Sequence, residues 1–417
     1  VLIPLREATS SDCGGKASAL GELLRAGLPV PEGFVVPFSV FDSATREFGL
    51  TSLKPATARG TLADLCLPDA LCQQMEIRLS DLGGGPVAVR SSAAGEDTAE
   101  ASAAGQHESF LAVHGLQNVL EALRSCWASA FSDRAVAYRQ HRPVTHGSAA
   151  APQMAVLIQR HLDAEVSGVM FTPLCSGEAT LLEASWGLGA SVVEGAVTPD
   201  AFRIDDAGEV TPTIGEKRYR LDRSGTRLKT SEVAESKRSL LCLSGGSARR
   251  LAELGKQASQ LLGSPQDIEW VIDRHQAWLV QSRPITAAPH PSIRASAAGD
   301  TAPQDSASLT GTPASPGRAS GPVRVVNGPG DFARVQPGDV LVCPFTDPAW
   351  TPLLAGAAAV VTEVGGRLSH AAIVAREHRI PAVLGVPGAR RKLIDGRTVT
   401  VDGTTGSITT TAQEARR

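Results

Sequence analysis

The hydrophobic positions along this chain fall into two kinds of run. Short apolar segments bounded by turn residues, VAV at 87–89, MAVLIQ at 154–159, GVMFT at 168–172, ATLLEA at 179–184 and AWLVQ at 277–281, predict strands. Residues 115–140 instead place Val119, Leu120, Leu123, Cys126, Trp127 and Phe131 at helical spacing, which predicts one or two helices with a buried stripe. Beyond residue 310, SGPVRVV, DVLVCP, AAAVVTE, PAVLG and TVTVDG read as short strands around one clear helix, from Ser369 to about His378. That suffices for a compact domain of about 100 residues. Between the two regions, residues 286–310 are rich in Ala, Ser, Pro and Asp, lack apolar periodicity and read as a linker. As a flexible chain it would span roughly 25–30 Å, which lets a small domain move between two sites. The fold class expected is multidomain, α/β and α+β.

Composition narrows the partners. With 417 residues, 42% of them hydrophobic, the chain can bury more than one core. A formal net charge of −3 with intermingled signs gives no basic stripe, so nucleic acid is not an expected partner. The cysteines are odd in number, scattered, and form no CxxC pair, which argues against a disulfide framework or a zinc site and for a reducing cytoplasm. Apolar runs such as LLAGAAAVV are far too short to span a bilayer, and the first residues do not read as a signal peptide. A cytoplasmic protein with no membrane partner is expected.

Four stretches carry candidate chemistry. In TEVGGRLSHAAIVAREH, Gly365 and Gly366 permit close backbone approach, and Ser369 stands where a helix N-cap is wanted. His370 then meets unpaired backbone N–H groups and the positive end of a helix dipole, a place that favours an anion such as a phosphoryl group. A lone surface histidine that merely starts a helix is the competing reading. The stretch GGKASALGELLRAGLPVPEGFVV puts Lys16 in a turn ahead of a helix, near any bound anion, although the P-loop spacing is absent and burial of Leu20, Leu23 and Leu24 explains most of it. In VAVRSSAAGEDTAEASAAGQHESFLAV a strand delivers Arg90 into a loop of small residues, which is either a phosphate clamp or an exposed loop with one arginine. Finally, DIEWVIDRHQAWLVQSRPI predicts a hairpin that brings Glu269 and Gln281 to one Mg²⁺ already held by nucleotide phosphates, with Arg283 on the same face; an exposed hairpin of alternating polarity reads equally well.

Together these stretches, with CWASAFSDRAVAYR, LLEASWGLGASVVEGAVTPDAF, ASPGRASGPVRVV and FTDPAWTPLL, resemble the phosphoenolpyruvate synthase, pyruvate phosphate dikinase and rifampicin phosphotransferase family. The resemblance covers nearly the whole chain in the family's order. It implies an ATP-grasp nucleotide-binding domain at 1–285, a flexible linker at 286–310 and a swivelling phosphohistidine domain at 311–411. Function would then be a relay in which the β-phosphoryl group of ATP passes to His370, with release of AMP and phosphate, and on to a small-molecule acceptor. By the same resemblance Lys16 and Arg90 would hold phosphates, and the loop at Gly105 and Gln106 would close over them. Gln159 would lie near the adenine, Glu183 would face the site, Glu269 and Gln281 would hold Mg²⁺, and Arg283 would assist the phosphates. The pyruvate-binding barrel of the dikinases and the drug-binding insert of the rifampicin enzymes have no counterpart in these residues, so the acceptor site is not recognised. Leu368 stands where some dikinases carry a regulated threonine, so that mode of control is not expected here. Two other outcomes of the same relay stay open: a ligase, cyclase or dehydratase that phosphorylates its substrate transiently, and a phosphocarrier that needs a separate acceptor-binding subunit.

Overall fold

A computed structural model of the chain describes residues 1–94, 109–132, 135–136, 152–288 and 308–410. The chain divides into two compact units, one of Val1–Glu165, Asp222–Thr230 and Glu253–Pro284, the other of Val166–Leu221, Ser231–Ala252 and Ile285–Arg417.

In the first unit an antiparallel sheet runs in the order Ile3–Pro4, Gly33–Val36, Met154–Arg160, Val87–Ala93, Ser109–Val113. Its central strand is buried from Met154 to Gln159, which is why the sequence there is a continuous apolar run and not an alternation. The helix Leu116–Ser129 presses Val119, Leu120, Leu123, Cys126 and Trp127 into the core, the stripe predicted from their spacing. Trp127 meets the Phe41 ring edge-on, centroids 5.8 Å apart and planes at 63°. Residues Ser10–Arg25 form a helix that breaks at Gly14, where φ is +78° and an added Cβ would lie 2.6 Å from Ser92 Oγ. The predicted Gly-Gly-Lys turn is thus a kink, and Lys16 stands at the start of the second helical segment. Strands Gln266–Asp273 and Gln276–Pro284 form the predicted hairpin.

The second unit contains an antiparallel set of Val166–Phe171, Thr180–Trp186, Asp200–Ile204 and Val210–Thr213, each paired with the next. It also contains a mixed sheet of eight strands. Four of these, Arg318–Val325, Val340–Cys343, Ala359–Thr362 and Ala382–Leu384, lie parallel in that order, and the helix His370–Glu377 is the crossover between the last two. Alternate residues serve opposite faces: Leu341, Cys343 and Val360 join one core with Ala371, Ala372 and Val374 of the helix, while Val340, Val342 and Val361 join another with Val399 and Val401. All five strands predicted beyond residue 310 are present, and Ser308–Thr310, Thr312–Ser315 and Ser407–Thr410 are added to them. Of the stretch read as a linker, 289–307 lies outside the described residues, and its last residues pair with Ser407–Thr410.

A buried ion pair fastens the antiparallel set. Lys217 Nζ, 0% exposed, donates to Asp200 Oδ1 (2.5 Å) and to the Gly215 carbonyl (2.9 Å). Asp200 also accepts from Gly215 N and Cys242 N, both at 2.8 Å, so every charged atom is engaged. Removing one partner strands the other charge, at a cost of about 3–5 kcal/mol. Denaturant unfolding of Lys217→Met should show that loss, and the double variant Lys217→Met/Asp200→Asn should recover part of it.

Candidate functional site

The first unit holds most of the residues expected on the nucleotide side. Lys16 is buried, and its Nζ donates to the Ser91 carbonyl at 3.0 Å. Arg90, one residue earlier on the same strand, donates through Nη1 to the Val280 carbonyl at 2.6 Å. The hairpin register explains that partner: Glu269 pairs with Gln281 and Trp270 with Leu279, so Val280 is a bulge whose backbone is turned out of the ladder. The same register sets Glu269 directly opposite Gln281, the two residues expected to share this hairpin. Both are half-buried, and among the described residues neither side-chain oxygen is taken by a hydrogen bond. Arg283 faces Asp267 across the hairpin and is held by it through Nε (2.9 Å) and Nη2 (2.8 Å). Gln159 is buried, its amide nitrogen donating to the Pro31 carbonyl at 3.0 Å. Gly105 and Gln106 lie outside the described residues.

Beside Gln159 and Arg160, His161 is buried in this unit with an Nε2 that no hydrogen bond satisfies among the described residues. Burial pushes its pKa down to about 4, against a smaller upward pull from Asp163. A folded-state pKa below the unfolded value means that the unfolded chain binds the extra proton first. Stability contributed by neutral His161 is therefore full above about pH 6.5 and is lost as pH falls towards 4, to a limit of about 3 kcal/mol. His161→Asn should flatten that limb when unfolding midpoints of the variant and the parent are compared between pH 4 and 7.

In the second unit His370 opens its helix and is buried. Its ring lies between two threonines, Nδ1 at 3.0 Å from Thr346 Oγ1 and Nε2 at 3.4 Å from Thr351 Oγ1. Topology brings them together: Thr346 leaves the C-terminal end of Val340–Cys343, and His370 follows the C-terminal end of the adjacent parallel strand Ala359–Thr362. Hydroxyls both donate and accept, so they orient the imidazole in either tautomer. Ser369 occupies the N-cap position as expected, but its hydroxyl donates back to Gly366 O (2.8 Å) and does not cap the helix.

The loop that presents the histidine is held from two sides. Glu183, on Thr180–Trp186, accepts from Arg367 N (2.6 Å) and Leu368 N (3.1 Å). Burial raises its carboxyl pKa, and these two N–H groups and Arg367 pull it back. On the other side Arg376 Nη1 donates to Arg367 O (2.8 Å) and Ala314 O (3.0 Å). Leu368, where a regulated threonine was considered, is an apolar anchor against Val169, Phe171, Val192, Val197 and Ile373. Thr346, Thr351, Asp267 and Arg376 were not singled out from the sequence. For Asp267 the signal was available, because it sits two residues before Glu269 as Arg283 sits two after Gln281.

Residues 10–302 match the pyruvate phosphate dikinase AMP/ATP-binding domain, and residues 335–406 match the mobile domain of PEP-utilising enzymes. The chain belongs to this pyruvate phosphate dikinase family. A probable phosphoenolpyruvate synthase of Methanothermobacter thermautotrophicus is 36% identical over 95% of this chain and 61% of its own length. One from Archaeoglobus fulgidus is 37% identical over 95% and 56%, and the phosphoenolpyruvate synthase of Escherichia coli is 33% identical over 95% and 55%. The chain thus spans little more than half the length of the curated relatives it matches. Among the described residues no helix is long and apolar enough to cross a membrane.

Proposed function

We propose that this chain is a dikinase-type phosphotransferase. A ring nitrogen of His370 bonds to the β-phosphorus of ATP, the bond to the AMP oxygen breaks, water takes the γ-phosphate away, and phospho-His370 then passes its group to a small-molecule acceptor. The observation that supports this best is His370 itself: the histidine of the matched mobile domain stands at a helix start, between two hydroxyls, on a loop fixed by Glu183 and Arg376.

The matched nucleotide domain supplies the other half. Lys16, Arg90 and Arg283 are the cations for the phosphates, and the last two are already oriented by Val280 O and Asp267. Charge-assisted contacts of this kind position a triphosphate and neutralise its developing charge. Glu269 and Gln281 fit a divalent ion, because they face each other with uncommitted oxygens. Mg²⁺ held there would screen the phosphates, with the nucleotide completing its shell, since no group of three acidic, His or Cys ligands occurs among the described residues. In this reading residues 1–285 are the donor domain, 286–307 a linker, and the carrier begins with the strand Ser308–Thr310.

Incubation with Mg²⁺ and ATP labelled at either the β or the γ phosphorus tests the relay. Acid-labile label on the protein from β-labelled ATP alone, with AMP and phosphate in solution, is expected. ADP as the sole nucleotide product would overturn it. With the acceptor in hand, a stable phosphorylated product distinguishes a phosphotransferase from an enzyme that uses the phosphate as a leaving group.

A further inference from the structure

A cavity of about 880 Å³ in the second unit plays no part in the relay as proposed. That size is typical of sites for small organic ligands. Its charged lining consists of Arg218, Arg390, Arg391, Lys392, Glu216 and Glu363. Two of the cations are already matched. Arg390 is clasped by Glu363 through Nε (2.9 Å) and Nη2 (2.8 Å) and donates to Asn327 at 2.8 Å, and Arg218 pairs with Glu216 at 2.7 Å. Arg391 and Lys392 have no acidic partner among the described residues.

These two unmatched cations are also brought together. Gly388, at φ +70°, turns the chain so that both side chains fold back over it: Arg391 Nη2 lies 3.6 Å and Lys392 Cε 3.7 Å from the point an added Cβ would occupy. Both side chains are exposed, and two like charges gathered at one place favour an anion between them. Val197, Val325, Val364 and Pro387 give the cavity an apolar side, so an anionic group at Arg391 and Lys392 could carry an apolar body. We propose that this cavity binds a small organic acid bearing two negative charges, held by Arg391 and Lys392 with its carbon skeleton against the valines. Glu363 and Val364 lead directly into Gly365 and Gly366, so the occupant lies against the base of the histidine loop. Recognition here depends on charge and shape and stands apart from the relay.

Phenylphosphonate and phenylsuccinate, a phosphoryl and a carboxylate dianion of suitable size, serve as probes. Calorimetric titration of the full chain at 0.15 M salt should detect binding of one or both, and whichever binds names the acid class. Affinity should fall at least tenfold in Arg391→Ala/Lys392→Ala and persist in Lys16→Ala, which separates this cavity from the nucleotide site. Bound probe should also protect Lys392 from acetylation, read by mass spectrometry. Binding of neither probe, or equal affinity in the double variant, overturns the proposal. Labelling of His370 by ATP is followed on the same proteins, so failure of the relay registers separately.

Discussion

His370→Asn should take up no acid-labile label from β-labelled ATP, a fall on the order of 10⁴-fold or more, because the nucleophile itself is gone. Asparagine is the informative substitution. It is smaller than the imidazole and keeps a polar group within reach of Thr346, so the buried site loses its reactive nitrogen without receiving a bulky or apolar group. ATP binding by the first unit and the thermal midpoint should stay close to those of the parent. If label persists in this variant, another residue is the carrier.

Gly366→Ala should be nearly as damaging, through a different cause. A Cβ on Gly366 would lie 2.2 Å from Glu183 Oε2 and 2.5 Å from its Cδ, inside any permitted contact. Glu183 would be driven off Arg367 N and Leu368 N, leaving a buried carboxylate and buried N–H donors unmatched. Each unsatisfied group costs roughly 1–3 kcal/mol, more for a charged one, so a loss of about 3 kcal/mol is expected together with a large drop in His370 labelling. The coupling is measurable. In a Glu183→Ala background, where the clash is absent, Gly366→Ala should cost much less, and additive effects would sink the idea that the two residues form one clamp.

How far this was legible from sequence differs by residue. VLVC and AVVT announce themselves because strands buried on both faces need apolar residues at every position. SLT and TPAS are the edge strands of their sheet and SITT lies next to SLT; they carry Pro, Ser and Thr, and no periodicity betrays them. The hairpin that carries Glu269 and Gln281 was readable, but their register was not, because a regular ladder continued from Trp270 and Leu279 would set Glu269 opposite Val280. Glu183 was named as facing the nucleotide, yet the partners seen in the structure are backbone amides 184 and 185 residues away. Contacts that distant, made to groups every residue possesses, leave no mark on composition or spacing. The bulge at Val280 supplies the shift in the hairpin register: it sets Glu269 against Gln281 and Asp267 against Arg283, and it offers its carbonyl to Arg90.

Parallel strand order in the second unit has an engineering consequence. His370, Thr346 and Thr351 all follow the C-terminal ends of their strands, whereas residues 336–339 and 356–358 feed the N-terminal ends at the opposite edge of the sheet. Reactivity and connectivity are therefore physically segregated. A fluorophore or an affinity handle placed in 336–338 would sit at the edge of the sheet opposite His370, Thr346 and Thr351 and leave their surroundings untouched.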